Sequence, residues 1–173
     1  MIDDKKIDII ILTINNRDNI CHFLSAIKTQ TVKPDKIIIM NTLKDEKDRS
    51  NLIDIDKDFV GIDIEKYIIY KKNFFHGKAR NEGARYSDAD YIVFMTDDSK
   101  PYDEYFFDNL YKGIAKNKDN NVALSYARHV AYPGATFTEN KTREFNYPDN
   151  SIIKNKNTEK IYGVKNYFAS NVC

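Results

Sequence analysis

This sequence has few cysteines. It also lacks a long apolar run and an N-terminal segment of the signal-peptide type. The two cysteines, Cys21 and Cys173, lie far apart, and we expect reduced thiols of a cytoplasmic protein rather than a disulfide. No apolar stretch is long enough to span a bilayer. The charged start, residues 1–6, is not followed by the apolar core of a signal peptide. These absences predict a cytoplasmic protein, and they are compatible with peripheral attachment to the inner face of the membrane.

An excess of charge of one sign is also missing. Lys and Arg number 27 and Asp and Glu number 26, which argues against a nucleic-acid partner, because nucleic-acid binders usually carry a basic surplus. The sequence has no G-x-G-x-x-G and no Walker loop, so it is not an ordinary dinucleotide or ATP P-loop protein. A G-x-S-x-G nucleophile turn and a Cys/His metal spacing are absent as well.

Apolar, β-branched runs alternate with helical patterns along most of the chain. At 173 residues, the chain is one domain, or one domain with an extension. Strands are predicted at residues 7–13, 36–40, 64–70, 91–95 and 122–126. Helices are predicted at residues 20–27, 79–87 and 101–114. This alternation predicts an α/β fold with a mostly parallel, doubly wound sheet that is flanked by helices.

The composition and the hydrophobic periodicity of the sequence change near residue 127. After residue 130 Pro, Asn, Lys and Tyr dominate and the periodicity fades. We therefore predict an irregular C-terminal extension of loops with short strands. The predicted boundary separates an α/β domain, residues 1–127, from residues 128–173.

Polar side chains follow three of the predicted strands. Thr13 and Asn15 follow the first, Asn41 the second, and Asp97 and Asp98 the fourth. Because ligands of doubly wound sheets bind at the carboxyl ends of the strands, we expect these side chains to share one edge. Thr13, Asn15 and Asn41 are candidates for hydrogen bonds to a base and a ribose. Taken singly, each is more often part of a turn.

The acidic pair at the fourth strand end is a candidate metal site. Mg²⁺ and Mn²⁺ prefer carboxylate oxygens and usually take one or two protein carboxylates together with phosphate oxygens. The alternative is a solvated strand end, or an N-cap for a helix that begins near Pro101. For the pair alone, this alternative is favoured by about two to one.

A basic segment, His76-Gly77-Lys78-Ala79-Arg80-Asn81, opens a predicted helix. Free backbone N–H groups and the helix dipole attract phosphate at such a position, and Arg80 can add a bidentate contact. The alternative is a glycine-containing turn with a surface arginine. A cationic helix start followed by an acidic strand end suits a diphosphate and its metal, which indicates a nucleotide-sugar enzyme.

Two of the three histidines, His22 and His129, lie outside the basic segment. His22 lies among apolar helix positions, which favours a boundary residue. His129 follows Arg128 at the end of the predicted fifth strand, and it is evenly balanced between substrate contact and structure.

Taken together, these segments resemble the inverting nucleotide-sugar glycosyltransferases of family 2, which have the Rossmann-like GT-A fold. The matching blocks are residues 12–15, 26–31, 37–41, 76–81 and 94–101. Within that family the chain is most similar to bacterial rhamnosyltransferases, through a Thr-x-Asp-x-x-Pro form of the acidic motif. Later blocks extend this similarity, at residues 128–133, 143–148 with Ser151, and 163–171.

Three positions depart from the family pattern. Thr96 replaces the first acid, which leaves Asp98 as the aligned metal ligand and Asp97 as its neighbour. Asn41 replaces the usual Asp at the second strand, so the ribose contact is neutral. The family's catalytic base lies well beyond the Ser-Asn block, whereas this chain stops at Cys173. The catalytic residue is therefore unknown, and the chain is expected to be truncated.

The resemblance implies transfer of a sugar from a nucleoside-diphosphate sugar, dTDP- or UDP-linked and possibly carrying rhamnose, to a glycan or lipid-linked acceptor with inversion. Residues 1–127 would bind the donor, and residues 128–173 would begin the acceptor side with Arg128 and His129. Asp98 would hold Mg²⁺ or Mn²⁺. The implied donor-binding residues are Thr13, Asn15, Asn41, His76, Gly77, Arg80 and Asp97.

Other functional classes stay open. The end at Cys173 favours a catalytically incomplete nucleotide-binding module derived from a glycosyltransferase. A nucleotidyltransferase would normally have a glycine-rich loop after the first strand, and here that loop is Ile14-Asn15-Asn16-Arg17-Asp18. A purely structural α/β domain does not explain why polar residues gather at the strand ends.

Overall fold

The computed structural model describes residues 4–51, 55, 59, 61–117 and 121–167. These residues divide into two compact units, the first ending at Ser125 and the second beginning at Tyr126. Residues 168–173, with Cys173 and the end of the last motif block, lie outside the described residues. The donor and acceptor roles of residues 1–127 and 128–173 stay predictions.

Four parallel strands form the sheet of the first unit. They are β1 (Ile7–Thr13), β2 (Lys36–Leu43), β3 (Ile64–Tyr70) and β4 (Tyr91–Thr96). Their order is β3-β2-β1-β4, so β1 lies between β2 and β4. Thr13 of β1 pairs with Asn41 of β2, and Leu12 pairs with Thr96 of β4. The predicted α/β class and the parallel sheet are confirmed.

Helices cover both faces of this sheet. The first unit contains α1 (Arg17–Lys28), α2 (His76–Arg85) and α3 (Phe106–Ala115). On one face Ile9 and Ile11 pack into a cluster with residues of α1 and α3. On the other face Ile10 and Leu12 pack with Ala79 of α2. A β-branched run that is buried on both faces is typical of a central parallel strand, and each such side chain stabilises the fold by about 1.5–3 kcal/mol.

The connections bring helix N-termini to the carboxyl edge of the sheet. Parallel strands need a crossover that carries the chain back to the other edge, so α1 after β1 and α2 after β3 begin near the strand ends. α2 begins at His76, three residues before the predicted start at residue 79. The basic segment therefore does open a helix, as predicted.

The strand predicted after α3 is wrong, and so is the predicted start of α3 itself. Residues 122–126 form no strand in the structure. Ser125 Oγ lies 2.5 Å from the position that a Cβ on Gly113 of α3 would take, so this segment packs closely on the helix instead of extending the sheet. The helix predicted to start near Pro101 begins at Phe106, and Pro101 is buried in the segment before it.

The second unit is helical where short strands were predicted. It contains α4 (Phe137–Asn146) and α5 (Glu159–Tyr162), and no strand occurs among its residues 126–167. α4 starts with a capping box in which Thr136 and Glu139 satisfy each other's backbone N–H groups. Across the described ranges, every helix is too short or too polar to cross a bilayer.

Candidate functional site

A short hydrogen bond joins the carboxyl ends of β1 and β4. Thr13 Oγ1 donates to Asp97 Oδ2 at 2.6 Å, and Thr13 itself is buried. Asn19, in the first turn of α1, also hydrogen-bonds the Asp97 carboxylate. Thr13 Oγ1 in turn accepts from the backbone N–H of Asn16 at 3.3 Å. Residues from β1 and α1 therefore hold the half-buried Asp97 in place.

The carboxyl group of Asp97 has a raised pKa. Burial is the largest cause, because it disfavours the charged form. The hydrogen bond from Thr13 lowers the pKa and opposes this effect, whereas the nearby charge of Asp98 raises it further. The two carboxylates repel each other, and a cation bound at this edge would relieve that repulsion.

Replacing Asp97 by Asn should raise the melting temperature at neutral pH. Because the folded-state pKa lies above the unfolded value, the contribution of Asp97 to stability is present below the usual pKa of 3.8 and is lost as the pH rises through the raised value. Asn keeps an oxygen for the Thr13 hydroxyl and carries no charge. Melting curves between pH 4 and pH 8 should show a gain over the wild type that shrinks toward the acid end.

The control for this comparison is Asp103→Asn, which removes an exposed carboxylate from the same segment. Its effect on the melting temperature should be small at every pH. A gain for Asp97→Asn that stayed constant over the whole pH range would contradict the assignment, because it could not come from ionisation of Asp97.

Two asparagines join the carboxyl ends of β1 and β2. The backbone N–H of Asn15 donates to Asn41 Oδ1 at 2.9 Å, and Asn41 Nδ2 donates to Asn15 Oδ1 at 3.0 Å. Asn15 has a φ of 49°, a left-handed conformation that Asn tolerates better than most residues. The pair places two neutral amides side by side, level with the Thr13–Asp97 contact on β1.

Two polar residues of this edge are not among the predicted site residues. No sequence motif marks Asn19, because its contact with Asp97 depends on where α1 begins. Thr42 stands at a predicted strand end but has no predicted role, and β2 runs beyond its predicted end at Met40 to include it. Thr42 is 2% exposed, and its Oγ1 has no hydrogen-bond partner among the described residues. An orphaned hydroxyl directly after Asn41 is a further polar group at this edge.

The N-terminus of α2 is open to a ligand. Its N-cap residue, Phe75, offers no side-chain hydrogen bond to the first N–H groups of the helix. Nothing lies within 4 Å of the position that a Cβ on Gly77 would take. His76 is exposed, and its ring makes an edge-to-face contact with the ring of Phe74, with centroids 4.9 Å apart. Arg80 follows His76 by one helical turn, so the two share one side of the helix.

A divalent metal fits this edge only as a partner of a phosphorylated ligand. Among the residues that the structure describes, no three His, Cys, Asp or Glu side chains group as a metal site. Asp98 is exposed at the end of β4, and the half-buried Asp97 is hydrogen-bonded by Thr13 and Asn19. Mg²⁺ typically takes one or two carboxylates and completes its shell with water and substrate phosphates. The alternative role as an N-cap is excluded, because Tyr105 occupies that position of α3.

The predicted acceptor-side residues lie in the second unit. Arg128 forms an ion pair with Asp149. The ring of His129 stacks on Tyr147 with centroids 4.5 Å apart and planes 5° apart. Burial lowers the pKa of His129, and the charge of Arg143 lowers it further. Both effects favour the neutral form of the stacked His129 ring, and its role in substrate contact stays a prediction.

Comparison with known proteins gives a consistent match. Residues 8–173 match the family described as Glycosyl transferase family 2. The O-antigen chain rhamnosyltransferase RfbN of Salmonella typhimurium strain LT2 is 33% identical over 167 residues, which are 96% of this chain and 50% of that protein. The O-antigen chain rhamnosyltransferase WbaN of Salmonella anatum is 28% identical over 150 residues, 84% of this chain and 44% of that protein. The chain thus spans about half the length of the curated relatives it matches.

Among solved structures, residues 1–349 of S. aureus TarS in complex with UDP-GlcNAc match with a TM-score of 0.49 and 14% identity. That match covers 65% of this chain and 32% of the TarS chain.

Proposed function

The chain belongs to glycosyltransferase family 2. We propose that the polar residues at its strand ends, Thr13, Asn15, Asn41, Asp97 and Asp98, bind a nucleoside-diphosphate sugar. The sugar is then transferred, with inversion, to a glycan or lipid-linked acceptor. Residues 1–127 act on the donor in this proposal, and Arg128 and His129 act on the acceptor side.

One observation carries the proposal. The Asn15–Asn41 pair and the Thr13–Asp97 bond lie side by side at the carboxyl ends of β2, β1 and β4. The same edge receives the uncapped N-terminus of α2, because α2 follows β3. Amides that suit a base and ribose, N–H groups that suit phosphate and carboxylates that suit a cation therefore meet on one edge.

The chemistry follows from these positions. Asn15 and Asn41 would orient the nucleoside, and the α2 N-terminus with His76, Gly77 and Arg80 would hold the diphosphate. The acceptor hydroxyl attacks the anomeric carbon, the bond to the diphosphate oxygen breaks, and a general base takes the hydroxyl proton. Mg²⁺ or Mn²⁺ held by Asp98 would supply positive charge for the departing diphosphate. The role of general base is not assigned to any residue of this chain.

The finer proposal concerns the sugar and the acceptor. Two relatives, RfbN and WbaN, are O-antigen chain rhamnosyltransferases, which supports rhamnose as the sugar and dTDP as the first carrier to test. A lipid-linked acceptor would bring the protein to the inner face of the membrane as a peripheral protein, and that is the location we propose.

Nucleotide binding should stabilise the protein in a metal-dependent way. Thermal melting with dTDP, UDP, GDP and ADP, each with Mn²⁺ or with EDTA, measures this directly. A nucleotide at a concentration of about 100 times its dissociation constant adds roughly 2.7 kcal/mol, which corresponds to a rise of about 5–10 °C for a chain of this size. We expect the melting temperature to rise with dTDP or UDP in the presence of Mn²⁺. The nucleotide that produces the rise identifies the nucleobase of the donor.

The controls separate binding from catalysis. Mn²⁺ alone measures any stabilisation that does not need the nucleotide. The absence of a shift with all four nucleotides would contradict the donor site. Binding without donor hydrolysis or transfer would favour the catalytically incomplete nucleotide-binding module instead.

A further inference from the structure

The acidic segment, residues 97–105, connects β4 to α3. Hydrogen bonds hold both of its ends to residues that flank α1. We propose that Gln30 and Thr31, at the far end of α1, are positioning residues that hold Asp98 in place for the metal-bound donor. The inference rests on the proposed function, because it concerns the same donor site.

The near end of the segment is fixed by β1. Thr13 Oγ1 donates to the Asp97 carboxylate, and the backbone N–H of Asp97 donates to the carbonyl of Leu12 at 3.3 Å. Directly after Asp98, both the N–H and the hydroxyl of Ser99 donate to the carbonyl of Thr96, at 3.2 Å and 2.7 Å. Asp98 therefore lies within a tight turn whose first side is anchored.

The far end is fixed by the residues that follow α1. Gln30 Nε2 donates to the carbonyl of Asp103 at 2.6 Å. The backbone N–H and the hydroxyl of Thr31 both donate to the carbonyl of Glu104, at 2.8 Å and 3.0 Å. These three hydrogen bonds connect positions that are 73 residues apart in the chain.

Gln30 is an unusual choice for a residue that only packs. It is 3% exposed, and its Oε1 is buried without a hydrogen-bond partner among the described residues. A buried acceptor without a partner destabilises the fold. An apolar side chain would avoid that penalty, and it would also leave the carbonyl of Asp103 without its donor. Departures from the most stable local choice are expected where a residue serves a site.

The length of α1 sets the distance between the two points at which the acidic segment is held. Thr13 precedes this helix and Gln30 follows it, and its 12 residues make it about 18 Å long at 1.5 Å per residue. The two ends of the acidic segment, Asp97 and Glu104, are thus held by the two ends of one helix. With both ends held, the Asp98 carboxylate has less freedom to leave the place where a cation would meet it.

The test uses Gln30→Met and Thr31→Val, which remove side-chain donors while keeping similar volumes. The control is Thr29→Ala, because the Thr29 hydroxyl donates to the carbonyl of Ala26, at 2.9 Å, within the end of the same helix. Two quantities are measured on the 173-residue chain. The first is amide hydrogen exchange of residues 98–105 without ligand. The second is the dissociation constant of the nucleotide that binds best, with Mn²⁺ and with EDTA.

We expect faster exchange in residues 98–105 and a loss of about tenfold in the Mn²⁺-dependent gain in affinity for Gln30→Met, as for one buried hydrogen bond. The loss should be smaller for Thr31→Val, which keeps the backbone bond to Glu104. Affinity in EDTA and all values for Thr29→Ala should stay within twofold of the wild type.

Three results would overturn the inference. Unchanged exchange in both variants would show that the contacts do not hold the segment. Faster exchange with an unchanged Mn²⁺-dependent gain in nucleotide affinity would show that Gln30 stabilises the segment without positioning Asp98. A wild-type protein that binds nucleotide equally well with Mn²⁺ and EDTA would remove the metal role of Asp98, and the positioning role with it. By contrast, a wild type that binds no nucleotide at all contradicts the proposed function first.

Discussion

Replacing Asp98 by Asn should remove the Mn²⁺-dependent part of nucleotide binding while leaving the ligand-free protein at least as stable. Asp98 is the exposed carboxylate of the pair at the end of β4, and Asn cannot supply the charge that a divalent cation needs. Removal of residues that merely support metal ligands costs about 10–100-fold in metal affinity, so the loss of the ligand itself should cost at least that much. The dissociation constant of dTDP or UDP, measured with Mn²⁺ and with EDTA, gives the result.

The opposite signs of the two expected effects make this prediction specific. The charge of Asp98 raises the pKa of Asp97, which means that the two carboxylates repel each other in the folded protein. The substitution relieves that repulsion, and a ligand-free melting temperature at or above the wild-type value would exclude a damaged fold as the cause of weaker nucleotide binding. Asp103→Asn, five residues further along the same segment, is the matched control and should bind nucleotide with Mn²⁺ like the wild type. If Asp98→Asn also kept full Mn²⁺-dependent affinity, Asp98 would not be the metal ligand.

The two central strands, β1 and β2, were predictable because strands buried on both faces are almost entirely apolar. Every residue from Ile7 to Thr13 is buried, and Asp8 is the one charged residue in that run. The convergence of polar residues followed from the same topology, since the carboxyl ends of parallel strands meet at one edge. The contacts between Thr13 and Asp97, and between Asn15 and Asn41, agree with that expectation.

Other elements were not predictable from periodicity. A short apolar run such as residues 122–126 fits a strand as well as a packed segment, and its close approach to Gly113 is a tertiary contact. α4 has a weak apolar pattern, and none of its residues is buried, so only its start carried a signal. That signal is the spacing of Thr136 and Glu139, which is the pattern of a capping box.

The partners of the acidic segment depended on where α1 begins and ends. Asn19 reaches Asp97 because α1 starts directly after Asn16, and Gln30 reaches Asp103 because the helix ends at Lys28. Helix boundaries are set by local caps that vary by a residue or two, and a shift of that size moves a side chain to another face. Sequence patterns therefore predicted that these polar groups share one edge of the sheet, but they did not predict Asn19 and Gln30 as their partners.

The two glycines of α2 should respond to alanine in opposite ways. On Gly83 a Cβ would lie 2.6 Å from Cγ2 of Ile10 and 3.4 Å from Cγ of Met40, and Ile10 is fully buried in the central strand. Overpacking of this kind costs about 1–3 kcal/mol and outweighs the gain of up to about 1 kcal/mol from replacing a helical glycine. We expect Gly83→Ala to lower the melting temperature by several degrees, at about 2–4 °C per kcal/mol.

Gly77→Ala is the matched substitution at the other end of the same helix, and its effect should appear in binding instead of folding. Nothing lies within 4 Å of the position of the new methyl group, so the melting temperature without ligand should stay the same or rise slightly. The methyl group would stand beside the first N–H groups of α2, where the diphosphate is proposed to bind. Loss of one hydrogen bond to a charged group should weaken nucleotide affinity by about tenfold or more. Calorimetric titration of both variants with dTDP or UDP and Mn²⁺ distinguishes the two roles, and a Gly77→Ala protein that binds like the wild type would place the diphosphate away from the start of α2.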